Sequence, residues 1–252
     1  MNKYLSFDVI TGRKKPESII NKSAACPFCD RAALTGILDQ EGDFLLLKNK
    51  YRVLADSFQT VLIETRDCKS ELSEYSPDYM RRLLRFAMKN WFKMINSNEY
   101  KSVILFKNHG ALSGGTIRHP HMQIVGFYHM DCFAGITERD FSGRLIFKKN
   151  DVELNLADYP RIGFVEFNVK LNDRKEESID NAAEFIQKSA HYFMNHQPNC
   201  HSYNIFFYLV EEKIRCKILP RYATSPLYVG YDIHLIINSG GSLIKKMQEL
   251  YF

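Results

Sequence analysis

Residues 108–123, "NHGALSGGTIRHPHMQ", carry the side chains of this chain best suited to chemistry. His119 and His121 flank Pro120, and Gly110, Gly114 and Gly115 precede them together with Ser113 and Thr116. Proline fixes its own φ and biases the residue before it toward extended backbone. Alternate residues of an extended segment share a face, so His119, His121 and Gln123 can present their side chains in one direction. The glycine-rich turn ahead of them can bring backbone N–H groups to phosphate oxygens. A neutral histidine beside such a turn can attack phosphorus and later leave, and so can carry a nucleotidyl group. A lone histidine is more often packed or solvated, but two around one proline have constrained geometry.

A second constellation is "CPFC", Cys26 and Cys29. Two thiolates three residues apart can reach one tetrahedral ion, which makes the pair half of a zinc site. The spacing equally suits a redox dithiol or two plain buried cysteines. A redox motif wants an apolar strand before it and a helix after it, and the lead-in "SIINKSAA" is weakly patterned. Cys68, directly after the apolar run "TVLIE", is either a third ligand or a chance surface thiol, and His119 is the best fourth candidate, with His109 as a substitute. Cys26, Cys29, Cys68 and His119 would close a Cys3His site, which leaves no position for water and is therefore structural.

The elements that must position these groups follow from patterning. Residues 1–40 read as loop-rich, and apolar β-capable runs occupy 44–47 and 60–64. "SPDYMRRLLRFAMKNWFKMIN" predicts a helix with a Ser N-cap, Pro at the first position and Met80, Leu83, Leu84, Ala87, Trp91 and Met94 on one face; Arg81, Arg82 and Arg85 are expected to face solvent. "KSVILFKN" and "HMQIVGFY" read as strands on either side of the glycine turn. The second half repeats the order: "RIGFVEFNVKL" as strand, "ESIDNAAEFIQKSAHYFMNH" as helix, then "SYNIFFYLV" and "KIRCKILPRY" as paired strands, with "DVELNLADYP" as the connection. Strand, helix, strand, strand occurring twice predicts an α+β protein of two related units, 1–150 and 151–252, with antiparallel sheets packed into one compact body.

Bulk properties narrow the classes. No apolar run approaches the roughly 18 residues a membrane span needs, and charges stand where a signal peptide has its apolar segment, so no membrane partner and a cytoplasmic location are expected. The six cysteines are then reduced thiols or metal ligands. A net charge of +5 with acids and bases interspersed lacks the basic stripe of a nucleic-acid binder, and no nucleic-acid partner is expected. It suits a small phosphate-bearing substrate, for which Arg118 and Arg221 are candidate contacts or simply solvated surface.

The segment resembles the active-site motif of galactose-1-phosphate uridylyltransferase, a family of the histidine-triad (HIT) superfamily, in its Asn-x-Gly, glycine and serine rich turn and His-Pro-His-x-Gln core. "FDVITGR", "CPFC", "LKNKY" and "VLIETRDCKSELSEYS" look like further family segments in the family's order, and "YNIFFYL" and "CKILPRYATSPLYVGYDIHLI" resemble its closing repeat. The resemblance spans nearly the whole chain and implies two tandem HIT-like units. It implies His121 as the nucleophile, His119 as a zinc ligand, Gln123 on the transferred phosphoryl group, Asn108, Gly114, Gly115 and Thr116 near the phosphates, and Asn49 near the base. The family's third metal ligand falls on Cys68 here, where a thiolate replaces an imidazole and keeps the site suited to Zn2+.

What the resemblance implies as function is nucleotidyl transfer from a nucleoside diphosphate sugar to a sugar phosphate by double displacement, with a homodimer compatible with it. A phosphorylase on the same scaffold, a non-catalytic zinc-containing nucleotide binder and a redox dithiol protein are the competing readings. The chain departs from the family in being shorter, in carrying Gly115 before Thr116 where family members have Cys before Ser, and in having no His-x-His in its second half. That last departure implies that the family's second, iron-type site is absent, and the sugar contacts do not carry over.

Overall fold

The computed structural model describes residues 4–252. The first half comprises helix α1 (Val9–Arg13), strands β1 (Ile37–Glu41), β2 (Phe44–Lys48) and β3 (Ser57–Ile63), helix α2 (Pro77–Asn96), and strands β4 (Ser102–His109) and β5 (His121–Phe127). The second half comprises β6 (Gly143–Lys149), β7 (Val152–Ala157), β8 (Gly163–Phe164), β9 (Phe167–Leu171), α3 (Glu176–Asn195), β10 (Tyr203–Val210) and β11 (Lys213–Pro220). Short α4 (Pro226–Tyr231) and β12 (Leu235–Ile236) lead to the last helix, α5 (Gly240–Tyr251). Among the described residues no helix is long and apolar enough to cross a membrane.

The long helix starts where its sequence dictates. Ser76 accepts a hydrogen bond from the Tyr79 N–H, Pro77 occupies the first turn where no N–H is needed, and Asp78 complements the helix dipole. Met80, Leu83, Leu84, Ala87 and Trp91 are fully buried on one face, and Met94 packs against the same core from a partly buried position. Arg85 keeps more than a third of its side chain in solvent but is also paired. It reaches across to α3, with Nη1 2.6 Å from Glu176 and Nε 2.6 Å from Asp180, and so ties the two long helices together.

Ten strands form one antiparallel sheet in the order β1-β2-β3-β5-β4-β10-β11-β9-β7-β6. The order reads alike from both ends, so the expected repeat is a local two-fold, and the two halves join through β4 and β10. Phe106 pairs with Phe206 at the centre of that junction, and Lys107–Ile205 and Leu105–Phe207 flank it symmetrically. Both long helices cover one face of this sheet, over the largest apolar cluster. The expected connection at "DVELNLADYP" is instead strand β7, whose Val152, Leu154 and Leu156 are buried and whose partners are β6 and β9. Position 150, where the sequence reading divides the chain, lies in the β6–β7 turn, and both strands pair within the second half of the sheet.

On the helix-covered face, Lys107 of β4 makes a fully buried ion pair with Glu64, 2.5 Å away, and the Tyr75 hydroxyl donates to the other Glu64 oxygen at 3.0 Å. Removing one partner of such a pair leaves an uncompensated charge in the interior. Lys107→Met is therefore expected to lower stability by about 3–5 kcal/mol in urea unfolding, and Lys107→Met with Glu64→Gln to regain much of it. Equal losses in the two variants would contradict this account.

Candidate active site and metal centre

The face of the sheet opposite the helices carries the candidate site. In β5, His121 and Gln123 alternate with the core residues Met122 and Ile124, and they pair with Ile63 and Val61 of β3. His119, just before Pro120, is fully buried, and the strand pairing continues past it through the Glu64 N–H, which donates to the Pro120 carbonyl at 3.1 Å.

Cys26, Cys29, Cys68 and His119 converge, and their four ligand atoms lie within 4.8 Å of one another. The CPFC segment makes a tight turn in which the Cys29 N–H donates to the Cys26 carbonyl at 3.2 Å, and both sulfurs face His119. The two sulfurs lie 3.6 Å from His119 Nδ1. Sulfur and nitrogen on one tetrahedral ion, at metal bonds of about 2.3 and 2.0 Å, would be about 3.5 Å apart, so the spacing needs almost no adjustment. The other ring nitrogen, Nε2, is 2.8 Å from the Thr65 carbonyl, which can only accept. That bond puts the proton on Nε2 and leaves the Nδ1 lone pair facing the thiols, the arrangement a ligating histidine requires. Burial pushes the Cys68 thiol up to about 12, with the neighbouring Cys26 adding to the rise, so a cation is what would release its proton. The cluster fits a closed metal centre. His109 has no part in it and stacks on Tyr203 at a centroid distance of 4.8 Å.

His121 is oriented by its neighbour. Its Nδ1 lies 2.7 Å from the His119 carbonyl oxygen, so Nδ1 carries the proton and Nε2 keeps its lone pair. Burial, opposed by that hydrogen bond, brings the His121 pKa down to about 4, and the ring is neutral at pH 7. Phe28, between the two cysteines of the turn, packs edge-on against both histidines, at 5.9 Å from His119 and 5.5 Å from His121. In the sequence Phe28 is marked only as an aromatic inside a paired-cysteine turn.

A cavity of about 850 Å³ opens over His121 and Gln123, and Asn49, Asn108, Gly114, Gly115 and Thr116 line it as well. All the non-metal site residues expected from the sequence thus share one space. Asn49 is fixed by the Tyr51 N–H, which donates to its Oδ1 at 2.8 Å. Among the described residues no hydrogen bond engages the N–H of Thr116 or Ile117, both of which line the cavity. Four basic side chains missed in the sequence, Lys15, Lys48, Lys50 and Arg52, line it against a single carboxylate, Asp30. None of the four has an ion-pair partner among the described residues, so the cavity attracts anions. Arg118 and Arg221 do not line it. Arg118 is exposed and donates to the Lys69 carbonyl, while Arg221 donates to Asn204.

The local two-fold shows what stands opposite. Gln123 pairs with Phe106 and Lys217 with Phe206, so Lys217 is the counterpart of Gln123 and Arg215, two residues earlier, that of His121. Both cations are buried. Arg215 donates to Glu138 at 2.8 Å and to the Leu171 carbonyl at 2.7 Å, and Lys217 donates to Asn168 at 2.9 Å beside Glu166. The second half repeats the architecture with its counterpart site filled.

The turn before the histidines depends on glycine at two positions. Gly110 has φ +82°, and a Cβ there would fall 2.3 Å from the His201 carbonyl oxygen, whereas Gly114, at φ +85°, has open space. Gly114→Ala is expected to cost about 1–2 kcal/mol from backbone conformation alone. Gly110→Ala adds a backbone clash and is expected to cost about 3 kcal/mol or more in chemical denaturation. Similar losses at the two positions would refute the distinction.

The chain matches, in order, the models described as the N-terminal domain of DUF4931, a domain of unknown function, over residues 7–130 and as its C-terminal domain over residues 134–252. No curated protein matches it. A crystal structure of a DUF4931 family protein from Bacillus cereus aligns at 41% identity with a TM-score of 0.76, covering 84% of this chain and 98% of that one. A uridylyltransferase structure aligns at 15% identity and TM-score 0.73 over 89% of this chain and 90% of that one. An ADP-glucose phosphorylase from Arabidopsis thaliana, with bound ADP-glucose, aligns at 15% identity and TM-score 0.72 over 99% of each chain. The expected kinship with uridylyltransferases is thus met in the fold, and with both halves matched and a solved member at 41% identity the chain belongs to the DUF4931 family.

Proposed function

We propose that this protein is a nucleotidyltransferase that carries the nucleotide on His121, taking it from a nucleoside diphosphate sugar and giving it to a sugar 1-phosphate. The observation that carries this reading is the His121 ring, kept neutral by burial and held by the His119 carbonyl in the tautomer that leaves the Nε2 lone pair for a basic, amide-lined cavity. Nε2 attacks the α-phosphorus, an Nε2–P bond forms, and the bond to the sugar phosphate oxygen breaks. The ring then carries positive charge, and the His119 carbonyl at Nδ1–H stabilises it. A phosphate oxygen of the acceptor attacks the same phosphorus, and neutral imidazole leaves. Both departing and incoming groups are already anionic, so neither half-reaction needs a proton.

Gln123 fits this outcome. An amide can hydrogen-bond the phosphoryl oxygens but cannot deliver or remove a proton at neutral pH, which favours an anionic acceptor over water. Thr116 and Ile117 offer N–H groups to the phosphates, Lys15, Lys48, Lys50 and Arg52 offset their charge, and Asn49 has an amide N–H2 for a base carbonyl. Cys26, Cys29, Cys68 and His119 would hold Zn2+, which with no open position serves to fasten the CPFC turn and the residue next to Pro120.

Incubation with UDP-glucose or ADP-glucose is expected to add one nucleotidyl mass to the protein, stable to base and labile to acid, and His121→Ala is expected to abolish it. A His121→Ala variant that still forms the adduct would sink the mechanism. Chasing the adduct with glucose 1-phosphate, galactose 1-phosphate or inorganic phosphate separates transfer from phosphorolysis.

Elemental analysis of freshly purified protein is expected to find about one zinc per chain. Cys68→Ala should lose it and unfold at lower temperature, because metal binding is coupled to folding. Full zinc retention by Cys68→Ala would remove that residue from the ligand set, and a reversible Cys26–Cys29 disulfide without metal would replace the zinc reading by the redox one.

A further inference from the structure

Asn108 lies on β4 directly across from Asn204 of β10, at the seam between the two halves. Asn204 is buried, and its Nδ2 donates to Asn108 Oδ1 at 2.7 Å and to the Ser113 carbonyl at 3.1 Å. Its Oδ1 accepts from Arg221 Nη1 at 2.8 Å. A guanidinium can only donate, so Arg221 fixes which end of the Asn204 amide is oxygen. The Asn204 N–H2 must then face Asn108 and Ser113, because the flipped amide would set an oxygen against two acceptors. Asn108 in turn has its oxygen fixed toward Asn204, which leaves its own N–H2 for the cavity it lines. Among the described residues that N–H2 has no partner.

We infer that Arg221 and Asn204 of the second half are positioning residues, a one-way hydrogen-bond relay that holds the Asn108 amide with its donors toward the phosphate of a bound nucleotide. The assignment rests on the nucleotide reading of the cavity given above. It explains a guanidinium that has no carboxylate partner among the described residues and does not line the cavity itself. It also gives the second half a part in the site, since the Asn204 bond to Ser113 holds the glycine turn at the same time.

The test is a double-mutant cycle read by calorimetry, using whichever of UMP or AMP binds the wild-type chain more tightly, with its nucleoside as control. Losing a hydrogen bond to a charged group weakens binding about 10- to 100-fold. Asn204→Leu, and Arg221→Met as a milder second variant, are each expected to weaken the nucleoside monophosphate within that range and to leave the nucleoside unchanged. In an Asn108→Ala background Arg221→Met should not weaken it further, since the relay has lost its end point, and Asn204→Leu should weaken it only by what its bond to the Ser113 carbonyl contributes. Arg221→Lys, which keeps a donor-only group, should retain most of the affinity. Additive losses in the Asn108→Ala background, or equal losses for nucleotide and nucleoside, would overturn the relay while the nucleotide site stands. A wild-type chain that binds neither nucleotide would overturn the nucleotide reading and the relay with it.

Discussion

The site depends on one short hydrogen bond, from His121 Nδ1–H to the carbonyl of His119. It connects two histidines held in opposite tautomers. His119 keeps its proton on Nε2, toward Thr65, and turns Nδ1 to the thiols; His121 keeps its proton on Nδ1, which leaves the Nε2 lone pair unused. Each tautomer is set by a backbone carbonyl, a group that cannot change roles with pH. Pro120 makes this possible by holding the segment extended while contributing no N–H of its own to compete for those carbonyls. Phe28, packed edge-on against both rings, joins the cysteine turn to His121.

Much of this was legible because the chemistry is local in sequence. The cysteine pair, the glycine turn and the His-Pro-His core each fall within a few residues, and backbone rules alone place His121 and Gln123 on one face. Helix α2 was equally clear, since its N-cap, proline and apolar spacing agree. What stayed hidden is set by contacts between distant segments. Nothing in "RRLLR" distinguishes Arg85, which crosses to α3, from its exposed neighbour Arg82. Strand β7 read as a connection because it lies between the two repeated sets of elements, although Val152, Leu154 and Leu156 alternate with Glu153 and Asn155 as in a strand, and its pairing with β6 and β9 is what places it in the sheet. Lys15, Lys48, Lys50 and Arg52 looked like ordinary scattered charge, and only the fold turns them toward one cavity.

The repeat, too, was visible as an order of elements but not as a difference in chemistry. At the positions that face each other across the two-fold, the first half has an imidazole and an amide, and the second half has Arg215 and Lys217. Buried cations demand partners, and Glu138, Asn168 and Glu166 supply them. That network occupies the counterpart positions, so the sheet is symmetric in backbone and asymmetric in its side chains.

A filled counterpart frees the second half to support the first. The seam between β4 and β10 is a strand pairing, so residues facing each other across it are held at fixed spacing by backbone hydrogen bonds. A side chain that must present one end of an amide to a ligand benefits from such a neighbour, because an amide left alone has two orientations of similar energy. Asn204 removes that choice for Asn108, and Arg221 removes it for Asn204. On the other face of the same seam, Lys107 and Glu64 bury opposite charges beneath the site, which stiffens β4 from below. The strand bearing Asn108 is therefore constrained on both faces, by the second half of the chain on one and by a buried ion pair on the other.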